Sequence, residues 1–329
     1  MGKETVLALL LREKGRFVSG EAVSAELGIT RAAIWKSISA LRAQGYEIEA
    51  VPGRGYCLKA LPDVLSEQTV RSFLGGVQVV GGRIDCFDTI DSTNAYLKRI
   101  AFDGAPDGTV AVAAEQTSGR GRRGRTFQSA AGKGVYLSVL LRPELTPAQL
   151  MPLTGLVAVA MSRAVDRVGG TNVQIKWTND LVLGKKKLCG ILTEIGIEAE
   201  SREVDYAVVG IGINCAHAEL PPEVAAMSAD LETATGKKPD RSRLAAELVR
   251  SLYEMEQALF TQKDAWLAEF SAHCVTIGQD VKLVRGDEVQ FAHADGIDGE
   301  AALRVTYPDG TTGVIASGEV SVRGMYGYT

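Results

Sequence analysis

The sequence is poor in the residues that build metal sites and disulfide frameworks. Its 329 residues include five cysteines, none of them in a C-x-x-C pair, and only three histidines. Zinc sites and disulfide-stapled scaffolds both need closely spaced cysteines or histidines. We therefore expect reduced, mostly buried thiols and no metal site made by the protein alone.

Long apolar runs, internal repeats and low-complexity tracts are also missing. A membrane-spanning helix needs roughly 18 or more consecutive apolar residues, whereas the N-terminal apolar run covers residues 6–11 and leads directly into charged residues. Such a run is also too short for the core of a signal peptide. We expect a cytoplasmic protein without a membrane partner.

Length and charge indicate more than one domain. A chain of this size usually divides into two or three domains. The first 60 residues carry nine lysines and arginines against six acidic residues, whereas the whole chain has a net charge of −4. A slightly basic N-terminal region on an acidic body is typical of a DNA-binding module joined to another domain.

The most unusual stretch is Gly119-Arg-Gly-Arg-Arg-Gly-Arg125, the arginine loop, in which four arginines and three glycines occupy seven residues. Arginine offers a permanent charge and planar donors for phosphate or carboxylate, and glycine allows a ligand to approach the backbone. The glycines match G-x-G-x-x-G, but a strand over residues 135–141 is predicted next and no helix, which excludes a dinucleotide fold. A solvated basic loop and a mobile loop that closes over a phosphate-bearing ligand both stay open.

Three motifs together resemble the signatures of the biotin protein ligase family. The arginine loop is similar to the family's adenylate-binding loop, Lys176-Trp-Thr-Asn-Asp180 to its second signature, and Lys187-Leu-Cys-Gly-Ile-Leu-Thr-Glu194 to its third. They occur in the family's order, and the resemblance covers nearly the whole chain. It is closest to the members that also repress the biotin operon. The chain departs from the family at Phe127, where tryptophan is common, and at Thr178, where proline is usual.

The resemblance implies a site for biotin, ATP and Mg²⁺. The implied biotin-binding residues are Ser92, Thr93, Asn94, Gln116, Arg120, Gly121, Arg122 and Lys187. The implied catalytic and adenylate-binding residues are Lys187, Arg120, Arg122, Arg123, Arg125, Phe127, Asn179, Asp180 and Asn214. From the residues alone, the Ser-Thr-Asn stretch predicts only a helix cap, and Lys187 resembles a strand-edge lysine with a buried stem.

The N-terminal region predicts a winged helix-turn-helix. Ser19 and Thr30 are expected to cap the second and third helices, with Gly28 ending the second, and two short strands joined by Pro52-Gly-Arg54 form the wing. The residues expected to face DNA are Ser19, Thr30, Arg31, Trp35, Lys36, Ser37, Arg42 and Arg54. A packing module without a role in DNA binding is the alternative.

The expected fold is an α+β multidomain chain. We place a winged helix-turn-helix at residues 1–62, a mixed-sheet catalytic domain at 63–273 and an SH3-like β-barrel at 274–329. The family resemblance implies that the central domain is of the class II aminoacyl-tRNA synthetase type. The prediction of the last domain is based on short strands separated by glycine- and aspartate-containing turns.

The implied reaction has two steps, formation of biotinoyl-5′-AMP from biotin and ATP and transfer of biotin to a lysine. The implied partners are the biotin carboxyl carrier protein of acetyl-CoA carboxylase, operator DNA, and a second copy of the chain after adenylate binding. A lipoate ligase shares the catalytic fold, but its arginine-serine-glycine-glycine-glycine signature is absent. A non-catalytic sensing repressor and an RNA-binding protein that uses the arginine loop are further alternatives.

Overall fold

The computed structural model of the chain describes residues 2–75, 82–198, 200, 203–285 and 288–322. They form two compact units, divided near residue 76. The sequence also predicts a short strand at residues 77–80, which lie outside the described part of the chain. The domain limits given above stay predictions. Within the described residues, no helix has the length and apolar composition required to cross a bilayer.

The N-terminal unit contains four helices and a two-stranded sheet. Its elements are α1 (Gly2–Arg12), α2 (Gly20–Leu27), α3 (Arg31–Ala43), β1 (Glu47–Val51), β2 (Gly55–Ala60) and α4 (Glu67–Leu74). Ser19 and Thr30 accept hydrogen bonds from backbone N–H groups at the starts of α2 and α3, and Gly28 ends α2 in the left-handed region. These interactions confirm the predicted caps and the helix-turn-helix.

One apolar core holds this unit together. Leu10, Ile34, Leu41 and Leu58 are each 1% exposed or less, and they come from α1, α3 and β2. The two residues of α3 are seven positions apart, a spacing that places both on one helix face. Burying each such side chain contributes on the order of 2 kcal/mol, so the core fixes the helices and the antiparallel β1–β2 pair against each other.

The second unit contains a large mixed sheet with surrounding helices, followed by a small sheet. The elements of the first part are β3 (Ile84–Phe87), α5 (Thr93–Phe102), β4 (Thr109–Ala113), β5 (Gly134–Leu141), α6 (Leu153–Gly169), β6 (Gln174–Lys176), β7 (Asp180–Leu183), β8 (Lys186–Ile197), β9 (Val204–Asn214), α7 (Pro222–Met227), α8 (Leu231–Thr235), α9 (Arg241–Thr261) and α10 (Lys263–His273). The small sheet consists of β10 (Asp280–Arg285), β11 (Glu288–Ile297), β12 (Leu303–Thr306), β13 (Thr312–Ile315) and β14 (Glu319–Val322).

The large sheet has the strand order β3-β4-β5-β9-β8-β7-β6. Only β3 and β4 pair in parallel, and the other neighbours are antiparallel. Helix α6 contacts Thr193 of β8 through Thr154, whereas the next residue, Glu194, bonds Asn94 of α5. Because successive strand residues point to opposite faces, α5 and α6 cover opposite faces of the sheet.

The small sheet is antiparallel, with the order β13-β12-β11-β10-β14. Two residues of the second signature connect it to the large sheet. Lys176 Nζ donates to Val320 O at 2.9 Å, and Trp177 Nε1 donates to Ala301 O at 2.8 Å. Both donor residues are buried, so this signature has a structural role in joining the two sheets.

We expect Trp177→Phe to lower the free energy of unfolding of the full chain by about 1–3 kcal/mol, because it leaves the Ala301 carbonyl without its indole donor and opens a small void. Urea unfolding followed by circular dichroism measures this difference. The matched control is Trp35→Phe, since Trp35 is 66% exposed and its truncation should change stability by less than about 0.5 kcal/mol. Equal effects at both positions would contradict the structural role of Trp177.

A second prediction concerns the carboxyl of Glu256 on α9. Burial, and then the charge of Asp107 and a hydrogen bond with it, raise the pKa of Glu256 to about 7 from its usual 4.5. The folded protein therefore holds a proton that the unfolded chain releases between about pH 4.5 and 7, so this contribution to stability decreases as pH rises through that window.

We expect the melting temperature of the wild type, measured relative to Glu256→Gln, to fall between pH 5 and pH 8, because glutamine has no proton to lose. Differential scanning fluorimetry across that range measures it. The control is the same exchange at exposed Glu288. A wild-type profile parallel to that of Glu256→Gln would rule out the buried, protonated carboxyl.

Candidate active site

The candidate site lies on the α5 face of the large sheet, where three neighbouring strands carry small residues. The register places Ser138 of β5 beside Gly210 of β9, and Gly212 of β9 beside Gly190 of β8. A Cβ on Gly210 would lie 2.1 Å from Asn94 Oδ1, and one on Gly212 would lie 2.4 Å from the Phe127 ring. The missing side chains therefore make room for two predicted site residues, Asn94 and Phe127.

The Ser-Thr-Asn stretch starts α5 directly above these glycines. Ser92 caps the helix by accepting from the N–H of Ala95, which confirms the predicted cap. Thr93 donates its backbone N–H to Gln116 Oε1 at 2.9 Å. Ser92, Thr93 and Asn94 are all less than 5% exposed, and they line a cavity together with Gln116.

The arginine loop forms a tight hairpin over this cavity. The Gly121 N–H donates to Arg125 O at 2.7 Å, and the Phe127 N–H donates to Gly119 O at 2.9 Å. A single 3-10 turn over residues 122–124 forms the tip, with Arg123 in the left-handed region. No α-helix opens after the loop, which confirms that it is not part of a dinucleotide fold.

Two arginines of the loop reach neighbouring elements. Arg122 donates to Asn179 Oδ1 at 2.9 Å and to the carbonyl of Gly318 at 3.1 Å, and Arg123 donates to the carbonyl of Val284 at 3.5 Å. Gly318 and Val284 belong to the small-sheet region. The loop is therefore held between the second signature and the C-terminal sheet.

Lys187, the predicted catalytic lysine, lies beside Asp180 of β7. Its Nζ is 2.7 Å from Asp180 Oδ1, an ion-pair distance. That oxygen is buried, and its contact with the Lys187 ammonium is a close ion pair. Lys187 is half-buried, and it borders two cavities.

The second cavity adjoins the first and shares Phe127 and Lys187 with it. It is larger and more apolar, and Asn214 lines it while donating Nδ2 to the carbonyl of Ala229. The remaining residues that line it are Thr126, Gln128, Ala130, Lys133, Tyr136, Ala216, His217, Ala218, Leu220, Val224, Ala225, Ser228 and Asp230. The Phe127 and Tyr136 rings meet edge to face at 6.4 Å, so Phe127 forms a wall between the cavities.

A third depression lies on the outer side of the arginine loop. Arg120, Arg123 and Arg125 line it together with Glu194. Burial alone would raise the pKa of Glu194, but hydrogen bonds from Lys98 and Asn94, and the charges of Lys98 and Arg120, outweigh burial and lower that pKa below its usual 4.5. Positive charge thus dominates the rim of the site. Among the described residues, no group of three or more His, Cys, Asp or Glu side chains is placed to hold a metal ion.

The structure corrects one of the residues expected to face DNA. Ser37 is 8% exposed and belongs to the buried side of α3, because it lies three residues after Ile34 and four before Leu41, which places it on the face of these core residues. Arg42 donates its guanidinium to the carbonyl of Ile48 and so attaches α3 to the wing. The other residues of that set, Ser19, Thr30, Arg31, Trp35, Lys36 and Arg54, are exposed.

Sequence reasoning missed several residues of the site. Ser138 is fully buried and bonds both Thr93 and Asn94. Its signal was a single serine inside an otherwise apolar strand, residues 135–141, where a buried polar group needs a partner. The segment 216–230, which includes α7 and lines the second cavity, has no periodic pattern that would have predicted it.

Fold and site together define the class of protein. A mixed-sheet domain carries two adjoining cavities that share one lysine beneath an arginine loop, and a helix-turn-helix domain precedes it. Family models match in the same order. The HTH domain matches residues 3–57, the Biotin/lipoate A/B protein ligase family residues 86–214, and the Biotin protein ligase C terminal domain residues 276–323.

The similarity to known proteins extends over almost the full chain. The Bifunctional ligase/repressor BirA of Escherichia coli is 35% identical over 318 residues, 96% of each chain, and that of Bacillus subtilis is 33% identical over 315 residues, 94% of this chain and 95% of that protein. The biotin protein ligase of Aquifex aeolicus in complex with biotin and ATP superposes with a TM-score of 0.62, 29% identity and coverage of 73% of this chain and 98% of that chain. The chain belongs to the biotin protein ligase family, among the members that carry an N-terminal helix-turn-helix domain.

Proposed function

We propose that the protein activates biotin with ATP to biotinoyl-5′-AMP and transfers biotin to a lysine of a biotin carboxyl carrier protein, and that it represses transcription in response to biotin. One observation supports the catalytic part above all others. Two cavities of different character adjoin, and Lys187 and Phe127 border both. An acid and a nucleotide that fill them would meet at the lysine, beneath the arginine loop.

In the first step, a carboxylate oxygen of biotin attacks the α-phosphorus of ATP, and the bond to the leaving pyrophosphate breaks. Two anions must approach each other, so fixed cations do most of the catalytic work. We assign this role to Lys187 between the cavities and to Arg120, Arg122, Arg123 and Arg125 at the rim. A carboxylate is already a nucleophile, so this step requires no general base.

In the second step, the amine of the acceptor lysine attacks the carbonyl carbon of the mixed anhydride. The bond to the AMP oxygen breaks, an amide forms, and the amine loses a proton. The anhydride also reacts with water, so the arginine loop and Phe127 would have to shield it until the acceptor arrives. We assign ring contacts of biotin to the Ser92–Asn94 stretch and Gln116, and nucleotide contacts to Asn179, Asp180 and Asn214.

Mg²⁺ would reach the site with the ATP phosphates, where it would neutralise charge on the triphosphate. The carboxylate of Asp180 lies 2.7 Å from the Lys187 ammonium, and the amide of Asn179 lines the first cavity together with that lysine. A single carboxylate fits a metal that is held mainly by substrate phosphates, which is the usual mode for Mg²⁺.

The repressor part of the proposal assigns DNA binding to the exposed residues of α2, α3 and the wing. We propose that the adenylate favours a homodimer, because an ordered loop presents one fixed surface, and that the dimer binds a palindromic operator in the cytoplasm. The ligand must then bind the dimer more tightly than the monomer, by the same factor with which it promotes dimerisation.

The catalytic proposal is tested by incubating the protein with biotin, ATP and Mg²⁺ without an acceptor and measuring retained biotinoyl-5′-AMP by mass spectrometry. We expect Lys187→Met to lower the rate of adenylate formation by about 100-fold or more, the usual effect of removing one charge-stabilising donor. Lys185→Met is the matched control, because Lys185 is exposed in the β7–β8 turn, and it should form adenylate at the wild-type rate.

The same incubation is carried out with lipoate in place of biotin. Adenylate formed with lipoate alone would move the protein to lipoate ligation, and biotin binding without any adenylate would make it a sensor. Full activity of Lys187→Met would remove the lysine from the mechanism while leaving the biotin reaction in place.

The repressor proposal predicts that biotin and ATP together raise the affinity of the protein for DNA. The DNA is a duplex selected from a randomised library by the protein in the presence of biotin and ATP. Fluorescence anisotropy at several salt concentrations measures it. Lys36→Ala should reduce the slope of log affinity against log salt by about one, as for one lost phosphate contact. Arg71→Ala on α4 is the control and should keep the slope. An affinity unchanged by biotin and ATP would refute the response to biotin, and failure to select any duplex would leave the N-terminal unit with a packing role only.

A further inference from the structure

A chain of buried polar groups runs beneath the first cavity. Its central members are Thr93, Asn94 and Ser138, which are 3%, 4% and 0% exposed. Buried amides and hydroxyls must exchange hydrogen bonds with each other, since water is excluded. The direction of each bond can therefore be worked out from which groups have protons to give.

One end of the chain is fixed by Glu194. Its Oε1 atom accepts from Lys98 Nζ at 2.5 Å, and its Oε2 atom accepts from Asn94 Nδ2 at 2.9 Å. A carboxylate paired with a lysine has no proton to donate. Asn94 must therefore present its amino group to Glu194 and its carbonyl oxygen to the opposite side, which fixes the orientation of the amide.

The orientation of the Asn94 amide determines which hydrogen bonds Ser138 donates and accepts. Its Oγ lies 2.6 Å from Asn94 Oδ1 and 2.7 Å from Thr93 Oγ1. A hydroxyl has one proton, and the Asn94 oxygen can only accept, so Ser138 donates to Asn94. The Thr93 hydroxyl can then donate to Ser138 or to Gln116 Oε1, which lies 3.1 Å away.

The other end of the chain reaches the arginine loop. Gln116 Oε1 accepts from the backbone N–H of Thr93, so its amide is also fixed, and its Nε2 atom donates to Ser129 Oγ at 3.0 Å. Ser129 in turn donates to the carbonyl of Phe127 at 3.0 Å. The polar groups beneath the first cavity, which form its floor, and the end of the arginine loop thus belong to one network of hydrogen bonds.

We infer that Glu194 and Ser138 are positioning residues: they determine which groups beneath the first cavity donate hydrogen bonds and which accept them. This assignment rests on the biotin site proposed above. Asn94 acts through them. Its amino group is taken by Glu194 and its oxygen by Ser138, so it supports the floor and does not donate to the ligand. The Ser92 hydroxyl, which accepts from the Ala95 N–H, keeps its own proton to donate into the cavity.

The hydrogen bond between Asn94 and Glu194 can be reversed by exchanging the amide and the carboxylate, which leaves the net charge unchanged and gives a direct test. Asn94→Asp alone replaces the 2.9 Å amide–carboxylate contact by two facing carboxylates, and we expect it to weaken biotin binding at least tenfold. In the double variant Asn94→Asp with Glu194→Gln, the new glutamine accepts from Lys98 and donates to the new aspartate, and Ser138 still donates to the aspartate. Lys98, Ser138 and the two exchanged side chains are again paired, and only the 3.4 Å contact of Asn94 Nδ2 with the carbonyl of Leu192 is lost, so biotin affinity should return to within about threefold of the wild type.

Isothermal titration with biotin and thermal unfolding of the full chain measure these variants. A double variant that folds but binds biotin no better than Asn94→Asp would overturn the inference, because it would mean that the Asn94 amide itself donates to the ligand. A wild-type protein that does not bind biotin would refute the proposed function first and this assignment with it.

Ser138→Ala provides a second test that does not depend on the double variant. We expect it to raise the KM for biotin about tenfold while kcat changes less than threefold, since the floor contacts the ring and not the reacting carboxylate. The matched control is Ser162→Ala, because Ser162 is equally buried but donates to Val173 O on the α6 side of the sheet. If Ser138→Ala only lowers the melting temperature, as Ser162→Ala does, Ser138 has a packing role and the inference fails.

Discussion

The site depends on the register of three antiparallel strands. Pairing of β5, β9 and β8 places Ser138 beside Gly210, and Gly212 beside Gly190, so that two pairs of small residues lie next to each other on one face of the sheet. Asn94 and Phe127 occupy the space that side chains at the two β9 glycines would fill. A slip of one residue in β9 would turn valine and isoleucine side chains into this space, and both cavities would be lost.

The second constraint is the repulsion among four arginines in seven residues. The structure separates them by giving individual guanidinium groups acceptors in different directions: Arg122 bonds Asn179 and Gly318, Arg123 bonds Val284, and Arg120 lies near the carboxylate of Glu194. Most of these acceptors are neutral carbonyls, which hold a cation more weakly than a phosphate does.

Local signals predicted local structure well. The caps at Ser19, Thr30 and Ser92 are confirmed, because capping depends only on a side chain and the three residues after it. Ser37 was placed on the wrong face because a helix of 13 residues tolerates a small hydroxyl on either side. Ser138 and the segment 216–230 escaped prediction because their partners are far away in sequence, and only the sheet register brings them together.

The proposed chemistry explains why the polar network and the cations occupy separate places. Activation joins two anions, so cations must surround the reacting atoms, whereas recognition of a neutral ring needs donors and acceptors of fixed direction. The ion pair of Glu194 with Lys98 lies behind Asn94, where it orients the amide while two neutral side chains, Asn94 and Ser138, separate it from Thr93. The ion pair thus sets the direction of the hydrogen bonds beneath the cavity, while its charged groups stay behind neutral side chains.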